Sequence, residues 1–285
     1  TEANAATEAN AATEANAATE ANAAAEANAA AEANAAAEAK AAPEQLITDP
    51  NVEKAIRAAI NKPTGELTKT DLVKVTVLDF RDNQLTAVKG LEQLTQLHTL
   101  ALSNNQMTDV KGLEQLKQLE LLWLSQNKLT DVKGMEKLTR LKELKLYGNK
   151  LTDVNGLEKL TNLTMLGLGS NQLTSVKELE KLTQLTFLDL QQNQLSNVKG
   201  LEKLTNLKTL ILNRNKLTDV KGLEKLTQLT ALDLGSNQLT NVKGLEKLTE
   251  LKSLYLFNNS DLTKAQIDQL QKALPKCEIN SNPTK

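Results

Sequence analysis

Residues 217–238 read LTDVKGLEKLTQLTALDLGSNQ, and this 22-residue string decides the fold. Its end fits the frame L-x-x-L-x-L-x-x-N-x-L, with Leu229, Leu232, Leu234, Asn237 and Leu239 at the fixed positions. The same frame holds Leu119, Leu122, Leu124, Asn127 and Leu129. The asparagines at 83, 105, 127, 149, 171, 193, 215, 237 and 259 are spaced by 22 without exception. Self-similarity at such a period is the mark of a stacked-repeat architecture.

Each half of the repeat has its own physics. Leu-x-Leu alternates with period two, the pattern of a short strand with one buried face. Asn follows at the turn, where its side-chain amide can satisfy backbone groups, and stacked copies form an Asn ladder. In the other half, Leu217, Val220, Leu223, Leu226 and Leu229 recur every third residue. That spacing suits a 3₁₀-like or extended segment better than an α-helix. One coil cannot bury its leucines alone, so neighbours must stack to form the core. With strands about 4.8 Å apart, nine coils make a stack of about 40 Å.

Both ends carry cap signals. Asp49-Pro50 reads as an N-cap followed by proline at the first helical position, with Val52, Ile56 and Ile60 on one face. Leu67 to Val73 leads into the first coil. After Asn259 the repeat breaks, and Thr263 to Leu274 reads as a helix with Ile267, Leu270 and Leu274 inward. Pro275 stops it, and Cys277 to Ile279 suit a last edge strand.

The frame is the leucine-rich-repeat consensus, and the full coil resembles the 22-residue repeat of the internalin-like class of bacterial leucine-rich-repeat proteins. The similarity covers about residues 46–280. It implies an α/β solenoid, a horseshoe of about nine coils with helical caps, whose concave strand face binds a protein, peptide or glycan. It implies a secreted or cell-surface bacterial protein, and it brings no catalytic residue. The expected organisation is an alanine-rich arm at 1–42, an N-terminal helical cap at 43–74, leucine-rich repeats at 75–259 and a C-terminal cap at 260–285.

Residues 1–42 lie outside that resemblance. They are seven copies of a hexapeptide: TEANAA four times, AEANAA twice and AEAKAA once. Alanine and glutamate favour helix, and Pro43 ends the tract. In a helix six residues advance about 600°, so each residue type falls on three stripes and no face is apolar. Two readings stay open: a helical or disordered spacer, and an arm whose small alanines on every face drive self-assembly into a filament. Seven Glu against one Lys give the tract a charge of −6, and since the whole chain is −1, the other 243 residues carry +5.

Composition excludes several classes. One Cys and one His leave no disulfide scaffold and no structural zinc site, and a His-based triad would have to use His98. No cofactor or metal is implied. No run of 18 apolar residues suits a membrane helix. No signal peptide is recognisable, and the chain opens on Thr1 rather than Met, as expected where an N-terminal segment has been removed.

Aromatics make up only 2% of the chain, yet they are concentrated. Three outward positions flank the strand leucines in each coil, and these hold Trp123, Tyr147, Phe187, Tyr255 and Phe257, five of the six aromatics. Phe80, the sixth, falls at a core position. Leu121, Met165 and Ile211 add apolar surface to the same face. Aromatics anchor interfaces, which points to ligand binding. The competing explanation is that aromatics favour strands wherever they point. Leu121, Trp123, Tyr147, Met165 and Phe187 form the leading candidate patch, with Ile211 beyond it and Tyr255 and Phe257 as a second patch near the C-cap. The charges on this face, Asp79, Arg81, Lys145, Asp189 and Asp233, are of mixed sign, whereas nucleic-acid binding needs a basic stripe.

The strict six-residue repeat supplies its own test. If the arm assembles, the full chain will form oligomers or filaments by light scattering and electron microscopy, and a 43–285 truncation will stay monomeric. Monomers from both would remove arm-driven assembly.

Overall fold

A computed structural model describes residues 46–282, and the 1–42 arm therefore lies outside the described residues. Ten three-residue strands run in chain order through one parallel sheet. They are β1 (Val77–Asp79), β2 (Thr99–Ala101), β3 (Leu121–Trp123), β4 (Glu143–Lys145) and β5 (Met165–Gly167), then β6 (Phe187–Asp189), β7 (Thr209–Ile211), β8 (Ala231–Asp233), β9 (Ser253–Tyr255) and β10 (Glu278–Asn280). From β1 to β9 every register is a shift of 22, so Leu122 lies beside Leu100 and Leu144. Each chemical position of the repeat therefore becomes a column across the sheet.

The three-residue periodicity becomes 3₁₀ turns, as its spacing predicts. Leu223–Lys225 and Leu245–Lys247 are examples. The core is one continuous ladder: Leu223, Leu226, Leu229, Leu234 and their equivalents are wholly buried. Burying one leucine side chain contributes about 1.5–3 kcal/mol, so a column of them supplies the cohesion that a single coil lacks.

The asparagines close the turns. Asn171 Oδ1 accepts the Leu151 N–H at 3.0 Å, while its Nδ2 donates to the Leu146 and Leu168 carbonyls at 3.0 Å each. With a further bond to the Gly169 carbonyl at 3.2 Å, one side chain thus binds the preceding coil twice and its own coil twice. The pattern repeats at Asn127, Asn149, Asn193, Asn215 and Asn237, all buried. Asn83, in the first coil, has no earlier coil to bind; it is exposed and donates to the Arg81 carbonyl at 2.6 Å.

Two local devices go beyond the sequence reading. Recurring lysines and glutamates on the far side suggest solvated charge ladders, but the glutamates have a backbone role. Glu224 Oε2 accepts the Gly222 N–H at 2.6 Å, and Gly222 enters the 3₁₀ turn at φ +105°. Bonds from its own backbone N–H and that of Gly222 hold the Glu224 carboxyl below its ordinary pKa. Where Glu178 replaces the glycine, the turn starts two residues earlier and lengthens to Lys177–Lys181, and Glu180 pairs with Lys203 at 2.7 Å instead. A column of aspartates caps the adjoining turns: Asp109, Asp131, Asp153 and Asp219 each accept an N–H two residues on.

The caps match their signals and add one element. α1 (Pro50–Ala59) is N-capped by Asp49 and buries Val52 and Ile56. α2 (Lys69–Leu72), within the segment leading into the first coil, is a single turn with a Thr68–Asp71 capping box. Asp71 also meets Lys62 Nζ at 2.7 Å; that contact, with the Thr68 bonds, drives its carboxyl far below the usual range. α3 (Lys264–Ala273) buries Ile267 and Leu270, and β10 pairs with β9 as the final strand.

Asn171→Ala should cost about 1–3 kcal/mol, because it leaves the buried Leu151 N–H without a partner and removes one of the two asparagine donors at each of the Leu146 and Leu168 carbonyls. Asn171→Asp should not rescue it, since a carboxylate cannot donate to the two carbonyls. Thermal melts of both variants check this; a melt for either that matches the parent would remove the ladder from its structural role.

Candidate functional site

Six of the eight candidates lie at outward positions within strands and Tyr147 and Phe257 follow two residues past the ends of β4 and β9, but they do not form one apolar sheet. β3 to β8 share the same alternation of exposure: the central leucine is buried and the flanking residues are half-buried. Among the eight candidates Tyr255, at 38% exposure, is the most open, and the others are partly covered by the neighbouring coils. Phe80 is in the core, as its position predicts.

The first outward column runs Leu121, Glu143, Met165, Phe187. Glu143 therefore separates Leu121 from the Met165–Phe187 pair. The middle column runs Trp123, Lys145, Gly167, Asp189, Ile211, Asp233, Tyr255. These two columns meet at Trp123, whose indole Nε1 donates to Glu143 Oε1 at 2.8 Å. Lys145 Nζ sits 4.8 Å from the Trp123 ring and 2.8 Å from the same carboxylate oxygen. A cation over an indole face is favourable by about 0.5–1 kcal/mol at an exposed site. Trp123 is thus held in one orientation by a carboxylate at its edge and an ammonium over its face.

The third column holds Tyr147 and Phe257, and both pack on glycine. A Cβ at Gly169 would lie 3.0 Å from the Tyr147 ring, and one at Gly235 would lie 2.8 Å from the Phe257 ring. Phe257 also meets Tyr255 edge-on, with centroids 6.5 Å apart and planes at 79°. The second patch is therefore a contacting aromatic pair. The first alternates ring, charge and small residue.

Sequence reasoning treated the charges here as a mixed background. Asp189 and Asp233 are more specific than that. They flank Ile211 in the middle column. Asp189 accepts the Gln191 N–H at 2.9 Å and Gln191 Nε2 at 3.1 Å, and Asp233 accepts the Gly235 N–H at 2.9 Å. Neither forms an ion pair among the described residues. Burial raises both pKa values, and the charge of Asp189 adds to the rise at Asp233. The available signal was an Asp between two core leucines, L-D-L, at 188–190 and 232–234.

Comparison with known proteins follows this geometry. The family described as leucine-rich repeats (2 copies) matches overlapping stretches at 73–115, 95–138, 117–159, 139–181, 161–203, 183–225 and 205–247. No curated protein matches the chain. Among solved structures, internalin C2 of Listeria monocytogenes is similar at 32% identity and a TM-score of 0.72, over 74% of this chain and 94% of that one. The functional domain of InlJ from Listeria monocytogenes is similar at 25% identity and a TM-score of 0.65, over 83% of this chain and 60% of that one. A leucine-rich-repeat protein of Leptospira interrogans is similar at 30% identity and a TM-score of 0.53, over 75% and 69%.

The two carboxylates predict a pH-dependent stability. A folded-state pKa above the unfolded value means that the protonated form favours folding. Their contribution is therefore full below about pH 3.9 and is lost as pH rises through the folded value. An Asp189→Asn/Asp233→Asn double variant should melt about 2 °C higher than the parent at pH 7 and no higher at pH 3. Calorimetry at the two pH values reads the difference, and a lower Tm at pH 7 would contradict it.

Proposed function

Because this chain belongs to the leucine-rich-repeat family, we propose that it is a non-enzymatic binding module, presenting its outward strand face to a protein or peptide ligand on or outside a bacterial cell. One observation carries the reading: five of the six aromatics sit outside the core on the strand side, Trp123, Phe187 and Tyr255 within strands and Tyr147 and Phe257 two residues past them, while the core is built almost wholly from leucine. A preference of aromatics for strands would be met equally by inward positions, yet Phe80 alone faces in. The hold on Trp123 supports the same reading. An indole fixed by Glu143 and Lys145 has already lost the rotamer freedom that binding would otherwise remove. Rigid aromatics of this kind act as anchors.

The secreted or surface location belongs to this proposal and rests on the likeness to Listeria internalins. The arm at 1–42 is the spacer that would hold the binding face away from its attachment, or the element that would gather several such faces.

Replacing Trp123 and Tyr147 together by Ala should weaken capture of a purified protein ligand at least tenfold and leave the thermal melt nearly unchanged. Biolayer interferometry on the parent and the double variant reads both arms against one ligand. Equal affinity for the two would move the site off this patch, and a glycan array positive where all proteins are negative would change the ligand class.

A further inference from the structure

β5 differs from its neighbours in carrying glycine at a middle-column position where the adjoining coils place Lys145 and Asp189. Two glycines occur here, and they differ in kind. At Gly169 the space is already taken, for a Cβ would lie 2.9 Å from Gln191 Cγ, 3.0 Å from Tyr147 Cδ2 and 3.1 Å from Asp189 Oδ1. At Gly167 a Cβ would meet only Lys145 Cα at 3.9 Å and Lys145 Cγ at 4.0 Å, which is ordinary contact. Gly167 has no positive φ. Neither backbone nor packing demands glycine at 167, and its effect is a notch in the strand face. Lys145 and Asp189 stand on either side, about 10 Å apart across two strand spacings. Met165 and Phe187, paired in register, give it an apolar border.

The two walls are not equivalent electrostatically. The Lys145 ammonium is engaged away from the notch, by Glu143 at 2.8 Å and by the Trp123 ring of the preceding coil. The Asp189 carboxylate has only the two Gln191 donors and no cation among the described residues. Beyond it, Asp233 repeats the situation, and Asn213 Oδ1 on the same face is buried without a donor. The notch therefore opens towards half-buried acceptors whose charge nothing in the coil offsets, a desolvated state that burial makes costly. A ligand cation would offset it.

We propose that the Gly167 notch receives a basic side chain of the protein ligand, arginine in preference to lysine, with Asp189 as its counter-ion. Charge complementarity selects the cation. Arginine is favoured because its planar fork can pair two-fold with a carboxylate while its stem and flat face lie along apolar side chains. Asp233, across Ile211, extends the acidic stretch for a second basic residue on the same ligand. This deepens the reading of the strand face as the ligand-binding face and rests on it.

The single tryptophan, Trp123, is a built-in reporter, because Lys145 joins its ring to the notch wall. Titrating the full chain with acetyl-Ala-Arg-Ala-amide should give a saturable change in tryptophan emission. The citrulline peptide, which keeps the shape and loses the charge, should bind at least tenfold more weakly, with the lysine peptide between. Gly167→Leu fills the notch and Asp189→Asn removes the counter-ion; each should reduce the arginine response at least tenfold. Should Gly167→Leu fail to fold, Gly167→Ala and Asp189→Asn carry the comparison. Equal binding of arginine and citrulline peptides, or a parent-like arginine response in a folded Gly167→Leu, overturns the proposal. The protein-ligand assay separates the two readings: capture lost in the Trp123/Tyr147 variant but kept in Gly167→Leu removes the notch alone. Capture kept in both removes the face.

Discussion

Everything in this solenoid depends on a side-chain amide doing what the backbone cannot. A coil of 22 residues that turns sharply after a three-residue strand leaves N–H and C=O groups pointing inward at the turn, and burial of such groups without partners is costly. Asn supplies an acceptor and two donors on one short stem. At Asn171 these reach one N–H and one carbonyl of the preceding coil and two carbonyls of its own. The bond pattern runs backward along the chain, so each coil completes the turn of the coil before it. Asn83 shows the rule by its exception, because it has no preceding coil and turns out to solvent.

The ladder and the leucine columns together explain how much of the fold was legible. Period two, period three and a fixed Asn each translate into one backbone state, so strand, 3₁₀ turn and stack follow from spacing alone. The caps were legible for the same reason: Asp49-Pro50 and Thr263 are local signals with local consequences. What escaped the reading depends on partners that spacing does not name. The Glu224 carboxylate could have paired with any of several lysines, and only the left-handed Gly222 brings its N–H within reach. The Glu178 substitution was visible, but its effect, an earlier and longer turn, required the backbone to choose between two geometries.

The candidate site was legible by position and not by interaction. Columns place Trp123, Tyr147 and Phe187 on one face without coordinates. They do not show that Glu143 takes the indole N–H, that Tyr147 lies on Gly169, or that Lys145 is drawn off the middle column. Such contacts depend on rotamers, and rotamers are set by neighbours 22 residues away in both directions. Glycine was the most misleading residue type here. Gly169 and Gly235 give room to rings, whereas Gly167 gives room to nothing in the coil.

The division of labour between the two faces of each strand then has a consequence for stability. The inward leucines and the Asn ladder are nearly constant from coil to coil, with Phe80, Met107 and Met135 as buried exceptions, and they supply the cohesion at each interface. The outward positions contribute little to that cohesion and are free to differ. Asp189 and Asp233 use that freedom in a direction that opposes folding, since partial burial disfavours their charged forms at neutral pH. A fold selected only for stability would place an amide or an alcohol there. Carboxylates kept half-buried and without a cation make physical sense where a cation arrives from outside, and the stacked core is what lets the face carry that cost until it does.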